Sequence, residues 1–273
     1  MLRAHDVVPA TMNEAARSFL DTLSDGQRKT VQYKVNDAER ETWFFIPRTR
    51  AGIPLKQMTE AQRIKALALL KSGLSEHGDA QAEAIIAMEN VLFEMEHTTR
   101  RDPTLYYLTI FGEPSLDHTW GWRFEGHHLS INFTIVDGKH VFFTPSFFGS
   151  NPAEVRIEMK KGLRIFADEE DMGRQFVTAL DKEQRSIGII SEYAPEEILT
   201  SNKPRVDPLH PDGIGWDQLN DAQRSKLLDL VKLYANRLRG ELAEAELQKI
   251  QKEGWSHLHF AWAGGIGKDD KHY

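Results

Sequence analysis

Leu23-Ser24-Asp25-Gly26-Gln27-Arg28 reads as the start of a helix: an apolar residue, an N-cap serine, then glutamine and arginine three and four positions on. The cap hydroxyl can accept from the N3 backbone N–H while the N3 glutamine reaches back to the cap, which is the reciprocal capping box. The same phrase occurs at Met58-Thr59-Glu60-Ala61-Gln62-Arg63, Leu180-Asp181-Lys182-Glu183-Gln184-Arg185 and Leu219-Asn220-Asp221-Ala222-Gln223-Arg224. Because the apolar residue before the cap and the arginine after the glutamine recur along with the cap, the reading is internal duplication.

The copies fall into two pairs, and each pair leads into a long amphipathic helix and an apolar, aromatic strand. In the first half, residues 81–96 place Ile85, Met88, Leu92 and Met95 on one helical face, and Tyr106 to Phe111 follows the Asp102-Pro103 break. In the second, Leu227, Leu230, Val231, Tyr234 and Leu238 form the apolar face, helix continues to Lys252, and Trp255 to Ala263 follows Gly254. The first half adds Trp120 to Val136, an Asp137-Gly138 turn and Lys139 to Thr144, a hairpin signal. By the same order the second half should continue into a hairpin of its own. The expectation is therefore a truncated or processed chain, or a second polypeptide or homo-oligomer that completes the C-terminal half. Between the halves, Asn151-Pro152-Ala153-Glu154 reads as a helix start with Pro at N1, and Asp168 to Leu180 as a helix with an acidic first turn. The fold expected is α+β, in two related halves at 1–150 and 151–273, each of helices followed by antiparallel strands, sharing one core.

Composition narrows the chemistry. With 34 Lys+Arg against 41 Asp+Glu the 273 residues carry a net charge of −7, and no basic run invites nucleic acid or an anionic membrane. The 40% hydrophobic share suffices for a buried core. The absence of cysteine removes disulfides, thiolate metal sites and cysteine nucleophiles together. Any metal must sit on histidine, carboxylate or carbonyl. No apolar run approaches the roughly 18 residues of a membrane span, and Met1 to Arg17 lacks the order of a secretory leader, so the chain as given reads as cytoplasmic.

Two constellations carry candidate chemistry. Strand alternation over Trp255 to Ala263 puts Leu258, Phe260 and Trp262 on one face and His257 and His259 on the other, a spacing from which two imidazoles can share a metal ion. The second spans Trp120 to Ile135. Leu129, Ile131, Phe133 and Ile135 alternate with His128, Ser130, Asn132 and Thr134, but the alternation falls out of phase with Trp122 and Phe124. A bulge at Gly126 is the expected repair; it would align Arg123, Glu125, His128, Ser130 and Asn132 in one polar row. The alternatives are a plain Arg123–Glu125 salt bridge and hydrogen-bonded histidines without a ligand. Gly264-Gly265-Ile266-Gly267-Lys268 lacks the spacing of a phosphate-binding loop. His5, His77 and His210 read as surface residues.

The run Trp120-Gly121-Trp122-Arg123-Phe124-Glu125-Gly126-His127-His128-Leu129-Ser130-Ile131-Asn132-Phe133 resembles an uncharacterised family, domain of unknown function 3500. Gly254-Trp255-Ser256-His257-Leu258-His259-Phe260-Ala261-Trp262 and the Asn151-Pro152-Ala153 segment are similar to the same family, so the resemblance spans nearly all of the chain. It implies a further strand and His-x-His segment beyond the point matching Tyr273, and it leaves secretion open beside the cytoplasmic reading. It implies no reaction.

The function expected is a metal-dependent enzyme, first a hydrolase with metal-activated water acting on a small molecule. The ligands would be His257, His259, His128 and His127, with Glu125 and Arg123 as catalytic groups. Zinc is the first choice of ion, with Fe, Cu or Mn as others. Tyr107, Trp120, Trp122 and Asn132 are the expected substrate contacts. The alternatives are Fe or Cu redox chemistry and a non-catalytic small-molecule or glycan-binding module with Trp120, Trp122 and Tyr107 as a stacking platform.

Overall fold

The computed structural model describes residues 4–206 and 211–273, with side chains from Val7 onward. The side chain of His5 and all of His210 lie outside the described residues. The architecture is α+β, and the chain divides into two compact units, Met1–Ile165 with Arg237–Leu242, and Phe166–Asn236 with Ala243–Tyr273.

The first unit opens with helices α1 (Ala4–Leu20) and α2 (Asp25–Val31), then short strand β1 (Gln32–Tyr33) and, past an irregular stretch, β2 (Ile53–Pro54). Helices α3 (Glu60–Gly73) and α4 (Glu76–Glu96) lead to β3 (Tyr107–Phe111), β4 (Trp120–Gly126), β5 (Leu129–Val136), β6 (His140–Phe142) and β7 (Ser146–Phe148). Strand β4 is central, antiparallel to β3 on one side and β5 on the other. Register aligns Tyr107, Glu125 and Ser130 in one cross-strand row and Thr109, Arg123 and Asn132 in the next. The intervening positions put Leu108, Ile110, Trp120, Trp122, Phe124, Ile131 and Phe133 on the opposite face, all nearly inaccessible to water. That apolar face meets the helices closely: a Cβ on Gly73 of α3 would lie 2.5 Å from the Phe133 ring.

No bulge forms at Gly126. Gly126 pairs with Leu129 across a two-residue turn of His127 and His128, with His128 at φ 58°. Reversal of the chain shifts the alternation by one position, as a bulge would have done. Arg123, Glu125, Ser130 and Asn132 therefore share a polar face after all, while His128 leaves it for the turn.

The second unit runs α5 (Ala167–Thr178), α6 (Lys182–Gly188), β8 (Ile189–Ser191), β9 (Ile214–Gly215), α7 (Asp221–Ala235), helix α8 (Gly240–Glu253) from Ala243 onward, β10 (His259–Phe260) and β11 (Trp262–Ala263). Phe176, Val177, Leu180, Ile214, Leu219, Leu227, Phe260 and Trp262 form its buried cluster. Its internal pairing matches the first unit. Strand β1 lies parallel to β3 with Gln32 opposite Ile110, and β8 parallel to β11 with Ile189 opposite Trp262. Strand β2 lies antiparallel to β3 with Ile53 opposite Leu108, and β9 antiparallel to β10 with Ile214 opposite Phe260.

All four expected capping boxes form, at Ser24, Thr59, Asp181 and Asn220. In each unit the two box glutamines also join side chain to side chain, Gln27 to Gln62 at 3.2 Å and Gln184 to Gln223 at 3.0 Å. The second of each pair then donates to a carbonyl at the end of the preceding helical segment, Thr22 at 2.9 Å and Ala179 at 3.0 Å.

Several expected elements differ. Residues 151–154 are bends rather than a helix start, and the Asn151–Pro152 peptide is cis. Trp255–His257 is a turn of 3-10 helix closed by Leu258 N–H donating to the Trp255 carbonyl at 2.9 Å, so the expected long strand shrinks to β10 and β11. Met95 and Tyr234 are half-exposed at the ends of their helices. Ala263 and Tyr273 exchange backbone hydrogen bonds of 2.9 and 2.8 Å. No helix among the described residues is long and apolar enough to cross a membrane.

Candidate functional site

The polar face of the first unit's sheet is held by ion pairs. The Glu125 carboxylate lies 2.9 Å from Arg123 Nε and 3.6 Å from Arg50 Nε, and accepts from Phe44 N–H at 3.3 Å. Arg123 also reaches Glu39 Oε1 at 2.5 Å and donates to the Glu39 and Thr42 carbonyls. Arg50 donates to the carbonyls of Arg48, Phe44, Ile46 and Gly126. Burial pushes the Glu125 carboxyl up against the opposing pull of both arginines, and pulls the Arg50 guanidinium down. These bonds clamp the segment 39–50 onto the sheet. Asn132 is engaged in the same way, donating to the Pro145 carbonyl at 2.8 Å and to Ser130 Oγ at 3.2 Å.

The clamp forms one wall of a pocket of about 270 Å³, lined by residues 47–50, Glu89, Thr99, Arg100, Asp102, Leu105, Tyr106, Tyr107 and His127. Its chemistry centres on two groups far apart in sequence. Glu89 projects from α4 on the face that also carries Ile85, Met88 and Leu92, and its Oε1 lies 2.5 Å from His127 Nδ1. Only 2% of Glu89 and 8% of His127 is exposed, so the pair sits where a hydrogen bond to a charge is little weakened by water. The Tyr106 hydroxyl donates to the His127 carbonyl at 2.8 Å and holds the turn; burial pushes that phenol well above its ordinary range.

Arg101 covers the imidazole from the other side. Its Nη1 is 3.2 Å from His127 Nδ1 and 3.3 Å from Nε2. An atom nearly equidistant from both ring nitrogens at that range lies over the ring face rather than along either lone pair. Its Nε and Nη2 grip Glu96 at 2.8 and 2.9 Å, and that hydrogen bond first of all holds the Glu96 carboxyl below its ordinary value.

His128 packs its ring 3.9 Å from that of His127, centroid to centroid. Burial, then the neighbouring His127 and Arg101, push it down to about 3, so it is a neutral imidazole at physiological pH.

The residues expected to form one site are thus dispersed. His127 and Tyr107 line the pocket, whereas Arg123, Glu125 and Asn132 stand in the clamp beside it. Trp120 and Trp122 are 0% and 1% exposed on the apolar face, where Trp122 stacks on Phe133 at 4.7 Å; buried rings offer no stacking platform to a glycan. In the second unit His257 lies in the 3-10 turn and His259 on β10, both exposed, with His259 Nδ1 3.2 Å from the His257 carbonyl. Loss of strand alternation at Trp255–His257 removes the shared face expected for them. Among the described residues no group of three or more His, Asp or Glu is placed to hold a metal ion.

Glu89, Arg50 and Arg101 are the residues that sequence reasoning missed. Glu89 did carry a signal, since a carboxylate on an apolar helical stripe must find a partner.

No curated protein and no solved structure matches the chain significantly. A family model described as protein of unknown function, DUF3500, matches residues 6–273. With nearly the whole chain covered, this protein belongs to the DUF3500 family.

Proposed function

We propose that the pocket of the first unit is an enzyme active site in which His127, oriented by Glu89, acts as general base and acid on a small molecule, with hydrolysis as the reaction. The observation that carries the proposal is the 2.5 Å contact between Glu89 Oε1 and His127 Nδ1 at the wall of a pocket. A carboxylate bonded at Nδ1 fixes the tautomer with its proton there and leaves the Nε2 lone pair for chemistry. In ester hydrolysis Nε2 takes a proton from water as the water oxygen adds to the carbonyl carbon. The bond to the leaving oxygen then breaks, and the same proton passes from the imidazolium to the departing alkoxide, giving acid and alcohol. This reading uses only groups that the pocket contains.

Turnover of p-nitrophenyl esters of short carboxylic acids tests it, alongside elemental analysis of protein purified without a histidine tag. Activity that falls about 10²- to 10⁴-fold in both His127→Ala and Glu89→Gln supports the dyad. Full activity in His127→Ala, or a stoichiometric metal ion whose removal alone abolishes turnover, overturns it.

We also propose that the two units descend from one duplicated segment. The shared element order, strand pairings and glutamine pairs support that reading.

A further inference from the structure

Resting on the reading of this pocket as the substrate site, we infer that its substrate is a small oxyanion-bearing molecule, a carboxylate or a phosphate, whose charged group is held by Arg48 and Arg100. The inference comes from accounting for every charge at the pocket. Of its two lining carboxylates, Glu89 is hydrogen-bonded by His127 and keeps its charge while that imidazole is neutral, and Asp102 is paired with Lys56 at 2.9 Å and bonded by the Thr104 hydroxyl and N–H, so two unpaired arginines would still outweigh the one uncompensated carboxylate. Of its three lining arginines, Arg50 is answered by Glu125 and four backbone carbonyls. Arg101, behind the imidazole, is answered by Glu96.

Two guanidiniums remain. Arg48 donates Nε–H to the Thr49 carbonyl at 3.2 Å and lies with its guanidinium carbon 3.7 Å from the Phe44 ring centroid, which holds the group in place without neutralising it. Arg100 has no ion pair or side-chain hydrogen bond among the described residues, and both arginines are exposed.

Neither charge is background. The chain is acidic overall, at −7, so two unanswered cations lining one concavity are a local departure from its net charge. Two like charges on one concave wall raise the local concentration of an anion beside it. The planar donor fork of arginine matches a carboxylate or phosphate edge through two parallel hydrogen bonds. At about 270 Å³ the space lies just below the roughly 300 Å³ at which drug-sized ligand sites begin. It suits a compact anion, with its reacting group toward Glu89 and His127 and its oxyanion toward the arginines.

Binding of malonate and of inorganic phosphate, measured by calorimetry at low ionic strength on the whole protein, tests the inference. Glycerol and choline serve as neutral and cationic controls. At least one anion should bind while the controls do not, with affinity that falls as salt rises. The preferred anion assigns the oxyanion as carboxylate or phosphate. Arg48→Gln and Arg100→Gln, on exposed side chains, should each weaken that anion about ten- to hundredfold with an unchanged circular dichroism spectrum. Equal binding of the controls, absence of binding by both anions, or unchanged affinity in the doubly substituted protein overturns the inference. The two proposals fail separately: anion binding that requires both arginines with full esterase activity in His127→Ala sinks only the dyad. Loss of turnover in Glu89→Gln with arginine-independent anion binding sinks only the anion site.

Discussion

Replacing Gln62 with alanine should cost about 3 kcal/mol of stability. Gln62 is 5% exposed, and its amide makes four hydrogen bonds. Oε1 accepts from Thr59 N–H at 2.9 Å and from Gln27 Nε2 at 3.2 Å; Nε2 donates to the Thr22 carbonyl at 2.9 Å and to Gln27 Oε1 at 3.1 Å. At about 1 kcal/mol net per bond, with water replacing one at the half-exposed Gln27, roughly 3 kcal/mol is lost. Gln27→Ala leaves the bonds to Thr59 and Thr22 intact and removes the two to Gln62 and the exposed cap bond from Ser24 N–H at 3.1 Å, which water replaces, so it should cost roughly half as much. The second unit offers an internal control. Gln223, also 5% exposed, bonds to Asn220 N–H at 3.0 Å, to the Ala179 carbonyl at 3.0 Å and to Gln184 at 2.7 and 3.0 Å. Gln223→Ala should therefore lose a similar amount. Urea unfolding gives the free energies, and amide exchange at Thr59 and Asn220 reports the local opening. A loss below about 1 kcal/mol for Gln62→Ala, or Gln27→Ala and Gln62→Ala effects that simply add in the double variant, would refute the network account.

Gly52 and Gly213 both sit at φ 86°, where a Cβ would come within 2.3 Å of the Leu108 carbonyl oxygen and 2.1 Å of that of Phe260. Alanine at either should cost more than about 2 kcal/mol from left-handed strain and overpacking, read by urea unfolding. Trp262→Ala removes a side chain that is 4% exposed in the second unit's cluster and should cost about 3–5 kcal/mol in the same assay. The Glu96 carboxyl is held below its ordinary value of 4.5 chiefly by the hydrogen bond from Arg101. Its contribution is thus present above that value and is lost as pH falls through the lowered one. Glu96→Gln should flatten the acid limb of the stability profile. An unchanged limb would show that Arg101 draws no stability from Glu96.

What could be read from the sequence alone was whatever depends on near neighbours along the chain. The capping boxes are such features, because cap and glutamine stand three residues apart and one helical turn brings them together. Helix α4, the Asp137-Gly138 turn and the alternation of β5 are equally local. The polar row of Arg123, Glu125, Ser130 and Asn132 is visible for the same reason, although the pattern does not name its cause. A bulge and a two-residue turn shift alternation equally, and only pairing of Gly126 with Leu129 distinguishes them. Likewise, alternation carried through Trp255–His257 because a short 3-10 turn leaves no mark in a pattern of polar and apolar residues.

Tertiary structure alone decided the pocket. Glu89 and His127 are 38 residues apart, and the 2.5 Å between them exists only because α4 packs beside the β4–β5 turn. The same packing carries Arg101 over the imidazole, while the chain beyond Glu39 brings Arg50 to Glu125. A sequence displays which residues can bond but not which become neighbours once the apolar face of the sheet is buried. His127 was therefore legible as a candidate, and its partner was not: the partner is set by how two elements pack, a property that neither element carries alone.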